Sequence, residues 1–180
     1  MKELGVKRGT VKLIAHQDEW HKEADRTIKE LKHLFGNTAI DIQHIGSTAI
    51  PSIHAKPIID IAVGVCYLND IKPYVELLRE NGFIFHGEDV PEQILFVKDD
   101  FEKDLRTHHI HVVKWNSDGW NNYINFRDYL NVFPHKAMIY DDLKQKLSVQ
   151  FSEERRRYTE GKQQLIGNLL EEARLWRSKQ

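Results

Sequence analysis

The chain has 180 residues, a length that suits one domain with a real core. Hydrophobic residues make up 41% and charged residues 29%, with a formal net charge of -1, so no global pull toward nucleic acid or membrane is expected and any anion site must be a local cluster. A single cysteine, Cys66, excludes an intrachain disulfide and a multi-cysteine zinc site, and no apolar run approaches the ~20 residues of a membrane span.

The opening, MKELGVKRGT, lacks the apolar core of a signal peptide, so a cytoplasmic location is expected. Residues 11–15 read as a short edge strand. Trp20, Ala24, Ile28, Leu31 and Phe35 then recur at helical spacing. With Asp18 as a cap and Gly36-Asn37 as a stop, they predict a helix over 19–35 that lays its apolar stripe, Trp20 included, on a sheet. Residues 39–44 read as a strand leading into a turn at Gly46-Ser47. Gly46 permits unusual dihedrals and close approach of a ligand. Ser47 or Thr48 can cap a short helical turn whose N–H groups form an anion nest. His44 either braces this loop or bonds the nest. Lys56 either reaches a phosphate or is simply solvated.

Residues 58–65, IIDIAVGV, form an apolar run interrupted by one carboxylate. Strand alternation puts Ile59, Ile61, Val63 and Val65 on a core face and Ile58, Asp60, Ala62 and Gly64 on the other. A charge is costly to bury unless paired or metal-bound. Asp60 is therefore at a solvated position, in a hydrogen-bond network, or in a site. Cys66, following this strand, reads as an inert packed thiol.

A helix is predicted over 71–81, stopped by Gly82, then a strand start at 83–85 and a polar turn at 86–91. Strands over 93–98 and 106–114 pair antiparallel across a charged connection at 99–104. In the second of these, His109 and His111 share one face while Ile110 and Val112 share the other. The two histidine Cα atoms lie about 6.5 Å apart by strand rise. The pair is either a metal pair suited to zinc, nickel or iron, or two hydrogen-bonded strand histidines.

From Trp115 the pattern turns helical. Helices are predicted from a cap at Asn116 or Ser117 through 131, from Pro134 to about 151, and over 153–178. Sheet first and helices last favours an α+β class, with a sheet-rich part over 11–115 and a helical part over 116–178 in one domain over 1–180. Tyr158 and Lys162 are four apart and share a helix face. With Arg127 and the run Arg155-Arg156-Arg157 they make either a clamp for polyphosphate or a base, or a solvated charged surface.

Gly-Ser, a gap, then an Asp on an apolar strand resembles the DNA polymerase beta-like nucleotidyltransferase superfamily. The wording HIGSTAIP followed by AKPIIDIAVGV resembles more closely the GrpB family within it. The His109–His111 pair on a late strand, the segment FRDYLNVFPHKAMIYDDLKQKL and RRRYTEGKQQLI extend this resemblance over 13–173. It implies a nucleotidyltransferase-like mixed sheet backed by helices, with a helical C-terminal part. It implies phosphates at Gly46, Ser47 and Thr48, with Lys56, Arg127, Tyr158 and Lys162 around them. It also implies a divalent metal (magnesium, manganese or zinc) at Asp60, with His109 and His111 completing the coordination or acting as base. The superfamily's second carboxylate, two residues after the first, is Ala62 here. Two functions follow: nucleotidyl transfer to a small molecule, RNA or protein, or a nucleotide- or coenzyme A-related binding module without transfer. Some GrpB-family domains are joined to dephospho-coenzyme A kinase. The expected partner is a nucleotide or other phosphate-bearing small molecule, and neither membrane nor nucleic-acid binding is expected from the charge.

Overall fold

The computed structural model describes residues 3–180. Strands β1 (Val6–Lys7), β2 (Ala39–Ile45), β3 (Ile59–Val65), β4 (Ile84–Val90), β5 (Gln93–Asp100) and β6 (Leu105–Lys114) form one mixed sheet. The order is β2-β3-β6-β5-β4, with β1 pairing β6. Helices α1 (Glu19–Phe35) and α2 (Val75–Glu80) lie within this part of the chain. Helices α3 (Asp118–Val132), α4 (Pro134–Gln150), α5 (Arg155–Gly161) and α6 (Gln163–Arg177) follow it. The class is α+β, a mixed sheet backed by helices. No helix among the described residues is long and apolar enough to cross a membrane.

The central pair, β3 and β6, runs parallel, with Asp60 opposite His109 and Ala62 opposite His111. One face is dry: Ile59, Ile61, Val63, Val65, Ile110 and Val112 pack with Trp20, Ala24, Leu31 and Phe35 of α1. Burying each large apolar side chain contributes roughly 1.5–3 kcal/mol, which is what holds α1 on the sheet. The other face is covered only in part. Trp120 of α3 closes over Ile45, Ala62 and Val113. Ile50 and Ile53, after the Gly46 turn, pack against Tyr129, Leu130, Tyr140 and Leu169 of the C-terminal helices. Between these two patches the sheet face stays open around Asp60.

Several expectations are corrected. Residues 11–15 form no strand; Ile14 makes a single bridge with Ala55, and Val11 N–H bonds Ser152 O. The short edge strand is Val6–Lys7. The polar stretch 86–91 is largely strand: β4 runs to Val90, because an edge strand needs its ladder to β5 more than buried side chains, and Gly87 at φ +100° absorbs a bulge. The helix over 71–81 begins as a 3-10 turn, Leu68–Tyr74, containing Pro73, and becomes α-helical only at Val75. The last helix is two, broken at Lys162; a Cβ on Gly161 would stand 2.8 Å from a methyl of Leu147, so glycine is what lets the chain pass this close to α4. Asp18 makes no side-chain cap bond. Cys66 is exposed, not packed.

Candidate functional site

The parallel register of β3 and β6 brings Asp60 beside both strand histidines. Asp60 Oδ1 accepts a hydrogen bond from His109 Nδ1 at 2.9 Å and lies 3.5 Å from His111 Nε2. Burial alone would raise this carboxyl. The hydrogen bonds of His109 and His111 to the carboxylate outweigh it and hold Asp60 well below the usual carboxylate range, so it is ionised. Burial lowers His109 despite Asp60, leaving a neutral ring whose Nε2 faces Arg155 Nη2 at 3.4 Å. Tyr123 OH donates to Gln93 Oε1 at 2.5 Å and stands 3.3 Å from His111 Nδ1, from which it accepts. His111 Nε2 then either carries a second proton or presents a lone pair to a cation shared with Asp60.

The donor atoms of Asp60, His109 and His111 all lie within 4.8 Å of one another. One carboxylate oxygen and two imidazole nitrogens, with Tyr123 orienting one ring, fit a borderline divalent ion such as zinc or nickel better than magnesium, which favours several oxygen ligands.

The chain reaches this centre through Gly46, at φ +70°, whose Cβ, if present, would stand 2.5 Å from Asp60 Oδ2. Only glycine meets both demands. Ser47–Ala49 follow as a 3-10 turn in which Ala49 N–H bonds Gly46 O, so the amides of Ser47 and Thr48 have no partner within the turn. The Thr48 hydroxyl is structural: it donates to Ile58 O and accepts from His44 Nε2 at 2.9 Å. His44 braces the turn as a neutral ring, its pKa lowered to about 3 by burial.

Beside this turn lies a cavity of about 160 Å³ lined by Ser47, Lys56, Asp60, Tyr140, Lys144 and Lys162 among others. A wider one of about 460 Å³ adjoins it, sharing Gly46, Lys56, Asp60, His109 and Lys162 and adding His111, Tyr123 and Arg155. The wider cavity falls in the range of small-molecule sites, whereas the inner one is below it. Lys56 is not solvated but points inward. Burial lowers Lys56 and Lys144 to about 7 and Lys162 to about 8. Lys162 Nζ sits 4.5 Å and Lys56 Nζ 5.6 Å from the Tyr158 ring centre. Tyr158 is 1% exposed, a floor beneath two ammonium groups rather than an open stacking surface. Lys144 bonds Ser47 Oγ at 3.3 Å and His54 O. Asp141, on the same helix, holds the His54 backbone N–H and ring at 2.8 Å, tying α4 to the loop that carries Lys56. Among the described residues Asp60 is the sole acidic side chain lining either cavity.

The sites anticipated at Gly46, Ser47, Thr48, Lys56, Asp60, His109, Tyr158 and Lys162 thus meet at the inner cavity, and His111 joins them in the outer one. Arg127 lines neither: its guanidinium donates to Gln43 Oε1, His44 O and Asp128, bracing β2 against α3. Lys144 was not singled out by sequence reasoning, and Arg155 was read only as one of the run Arg155-Arg156-Arg157. Lys144 shares the buried face of Ala137, Tyr140 and Leu147, while the apolar Met138 and Ile139, which the sequence pattern offers as that face, are exposed. Of the arginine run, Arg155 turns to the site while Arg156 and Arg157 pair with Glu160 and Glu154 at the surface.

The family profile described as GrpB protein matches residues 10–172. Glutamate-rich protein GrpB of Alkalihalophilus pseudofirmus is 38% identical over 172 residues, covering 94% of this chain and 99% of that protein. The crystal structure of conserved protein GrpB from Enterococcus faecalis superposes with a TM-score of 0.84 at 26% identity, covering 92% of this chain and 99% of that one. A dephospho-CoA kinase of Mycolicibacterium paratuberculosis is 35% identical over 81 residues, a partial likeness covering 43% of this chain and 20% of that protein. Profile and full-length relative span nearly the whole sequence, and the chain belongs to the GrpB family.

Proposed function

We propose that the chain binds a nucleotide or related phosphate ester in the cleft around Asp60 and, from a nucleoside triphosphate, transfers the nucleotidyl group to an acceptor oxygen with release of pyrophosphate. The carrying observation is the convergence of Lys56, Lys144 and Lys162 with the Gly46–Ser47–Thr48 turn on an inner cavity that holds a single carboxylate. Lys144 is paired with Asp141 at 3.5 Å, but Lys56 and Lys162 share only Asp60, and Arg155 adds to the cationic side, so the cleft favours an anion. In this reading the phosphates enter the inner cavity, met by the turn amides, Ser47 and the lysines, and the body of the ligand occupies the wider one. Arg155 and Lys162 neutralise charge that develops on the transferred group. Asp60, His109 and His111 would hold a divalent ion, which supplies polarisation of a phosphoryl oxygen when bound. With its Nδ1–H on Asp60, His109 keeps one lone pair, at Nε2: where the ion is held by Asp60 and His111, that nitrogen is placed to take the acceptor's proton, and where His109 completes the coordination it is not. The cations flanking Asp60 disfavour a lone metal ion, so anion and metal bind together.

A second reading has one observation in its favour. Ala62 is fully buried beneath Ile45, Val113 and Trp120, so β3 offers no second carboxylate to a two-metal centre. A phosphate-ester binding module without transfer needs none, and the partial likeness to a dephospho-CoA kinase brings coenzyme A-related esters forward as its ligands. Thermal-shift titration with nucleoside triphosphates, coenzyme A and pyrophosphate, with and without manganese or zinc, tests the binding that both readings share. Stabilisation by triphosphate, enhanced by metal and lost in Lys162→Ala, is the expected result. Indifference to every phosphate compound overturns both. Incubation with a radiolabelled triphosphate and candidate acceptors separates transfer from binding alone.

A further inference from the structure

A third cavity, of about 210 Å³, opens between α3 and α6 beside the Gly46 turn. Helical spacing builds it. Tyr123 and Phe126 are three apart on α3, and Ile166 and Leu170 are four apart on α6, so each pair shares a helix face. The two helices turn these faces to one space, and Gly46 and Asn122 complete its almost wholly apolar lining. This annex adjoins the site already described. It shares Gly46 and Phe126 with the inner cavity, and Gly46, Tyr123 and Ile166 with the wide one.

Its chemistry is unlike theirs. The inner cavity carries three lysines, and the wide one Asp60, two histidines, Arg155 and Lys162. Those surroundings suit phosphates and a metal ion. No charged side chain among the described residues lines the annex. Both of its rings are held in place. Phe126 meets Tyr140 edge-on at 5.4 Å, and the Tyr123 hydroxyl is anchored on Gln93 and His111. Fixed aromatic faces suit the stacking of a flat ring. One polar group stands among them. The Arg174 guanidinium donates twice to Asn122 Oδ1, at 3.1 and 2.9 Å, which fixes the carboxamide. The end left over is Nδ2, a donor without a hydrogen bond among the described residues. An aliphatic tail offers it nothing, whereas a heteroaromatic ring with a carbonyl or ring nitrogen at its edge offers an acceptor.

We propose that the annex holds the nucleobase of the ligand, stacked on the α3 rings with its edge accepting from Asn122 Nδ2. The inference rests on phosphate binding in the inner cavity and adds the ligand's other end: the group carried is a nucleoside, not an alkyl or sugar phosphate alone. The sugar lies in the wide cavity, with the base turned into the annex. Gly46, common to all three cavities, is the point around which the ligand bends.

Asn122 and Leu170 line the annex and neither of the other two cavities, so changes there separate the two ends of the ligand. Calorimetric titration with the common nucleoside triphosphates and with inorganic tripolyphosphate, at one manganese concentration, is the measurement. Wild type is expected to bind at least one nucleoside triphosphate about tenfold or more tightly than tripolyphosphate, the scale of base stacking on an aromatic ring. Leu170→Trp, which fills the annex, should abolish that advantage and leave tripolyphosphate affinity unchanged. Asn122→Asp keeps the pairing with Arg174 and removes the donor, and should weaken the nucleotide about three- to tenfold. Circular dichroism confirms that both variants fold. Tripolyphosphate binding as tight as that of every nucleotide, or a nucleotide advantage that survives in both variants, would overturn the annex and leave the phosphate site standing. A protein that binds none of these compounds would overturn the phosphate reading and the annex with it.

Discussion

Gly46 and Asp60 occupy one another's space: the hydrogen that glycine carries in place of a side chain is what lets the turn lie against the carboxylate, 2.5 Å from where a Cβ would sit. Gly46→Ala is therefore expected to displace Asp60 while the sheet survives. The positive φ adds roughly 1 kcal/mol of backbone cost. Ser47→Ala removes one hydroxyl and leaves the amides, so its effect should be smaller. Calorimetric titration of triphosphate and manganese, with circular dichroism to confirm folding, checks the ranking. Equal affinities in the two variants and wild type would remove the turn from the site.

The buried lysines give the anion site a pH signature. Lys56 and Lys144 titrate at about 7 and Lys162 at about 8, all lowered by burial. Below those values they are charged. A bound anion favours the charged form, so binding near neutral pH takes up protons and affinity falls as pH rises through 7 to 8. In the ligand-free protein the sign reverses: the cost of burying charge is full below about 7 and is relieved toward the unfolded lysine value, so these groups favour folding as pH rises. Lys144→Met should accordingly lose most anion affinity and, because it leaves buried Asp141 without the ammonium 3.5 Å away, lower apo stability by about 3–5 kcal/mol. Calorimetry in buffers of different ionisation enthalpy measures the proton uptake; none, or uptake that persists undiminished in Lys144→Met, would contradict the assignment.

Tyr123 holds His111 by its Nδ1 at 3.3 Å, aiming Nε2 at Asp60. Tyr123→Phe keeps the ring and removes the anchor. Metal affinity is expected to drop about tenfold, within the 10–100-fold usual for such partners, against complete loss in Asp60→Ala and a larger loss in His111→Ala. Zinc competition with a chromophoric chelator gives the order. A Tyr123→Phe protein indistinguishable from wild type would show that His111 is oriented by its strand alone.

Strand alternation was enough to put His109 and His111 on one face, and the apolar run enough to make Asp60 conspicuous. What alternation could not supply is that β3 and β6 are neighbours. They run parallel with α2, β4 and β5 between them in sequence, and a partnership at that separation leaves no local trace. Lys56 could be read only as an alternative, phosphate contact or solvated side chain, for a related reason: its loop is drawn inward by Ile50 and Ile53 packing on α4 and α6, contacts made far along the chain. Arg127 failed differently. Helical spacing says which residues share a face but not what the face meets, and its face meets the edge of β2. Lys144 was hidden because the sequence pattern offers Met138, Ile139, Leu143 and Leu147 as the apolar stripe of α4, whereas Met138 and Ile139 are exposed and Ala137, Tyr140 and Lys144 are buried.

The position of Ala62 decides how far the chemistry extends. It follows Asp60 by two residues and shares its sheet face, where a second carboxylate would complete a two-metal centre. Here it is fully buried, packed with Ile45, Val113 and Trp120, and opposite His111 in the parallel register. An Asp at this point would be desolvated beneath the Trp120 ring. Ala62→Asp is therefore expected to destabilise the protein by about 3–5 kcal/mol, the usual cost of an uncompensated buried charge, and to gain no magnesium affinity. Urea denaturation with parallel magnesium titration measures both. A variant of unchanged stability that binds magnesium more tightly would mean that Trp120 yields and the face opens. Two-metal nucleotidyl transfer would then be within reach of this fold, and the reading as a binding module without transfer would lose its main support.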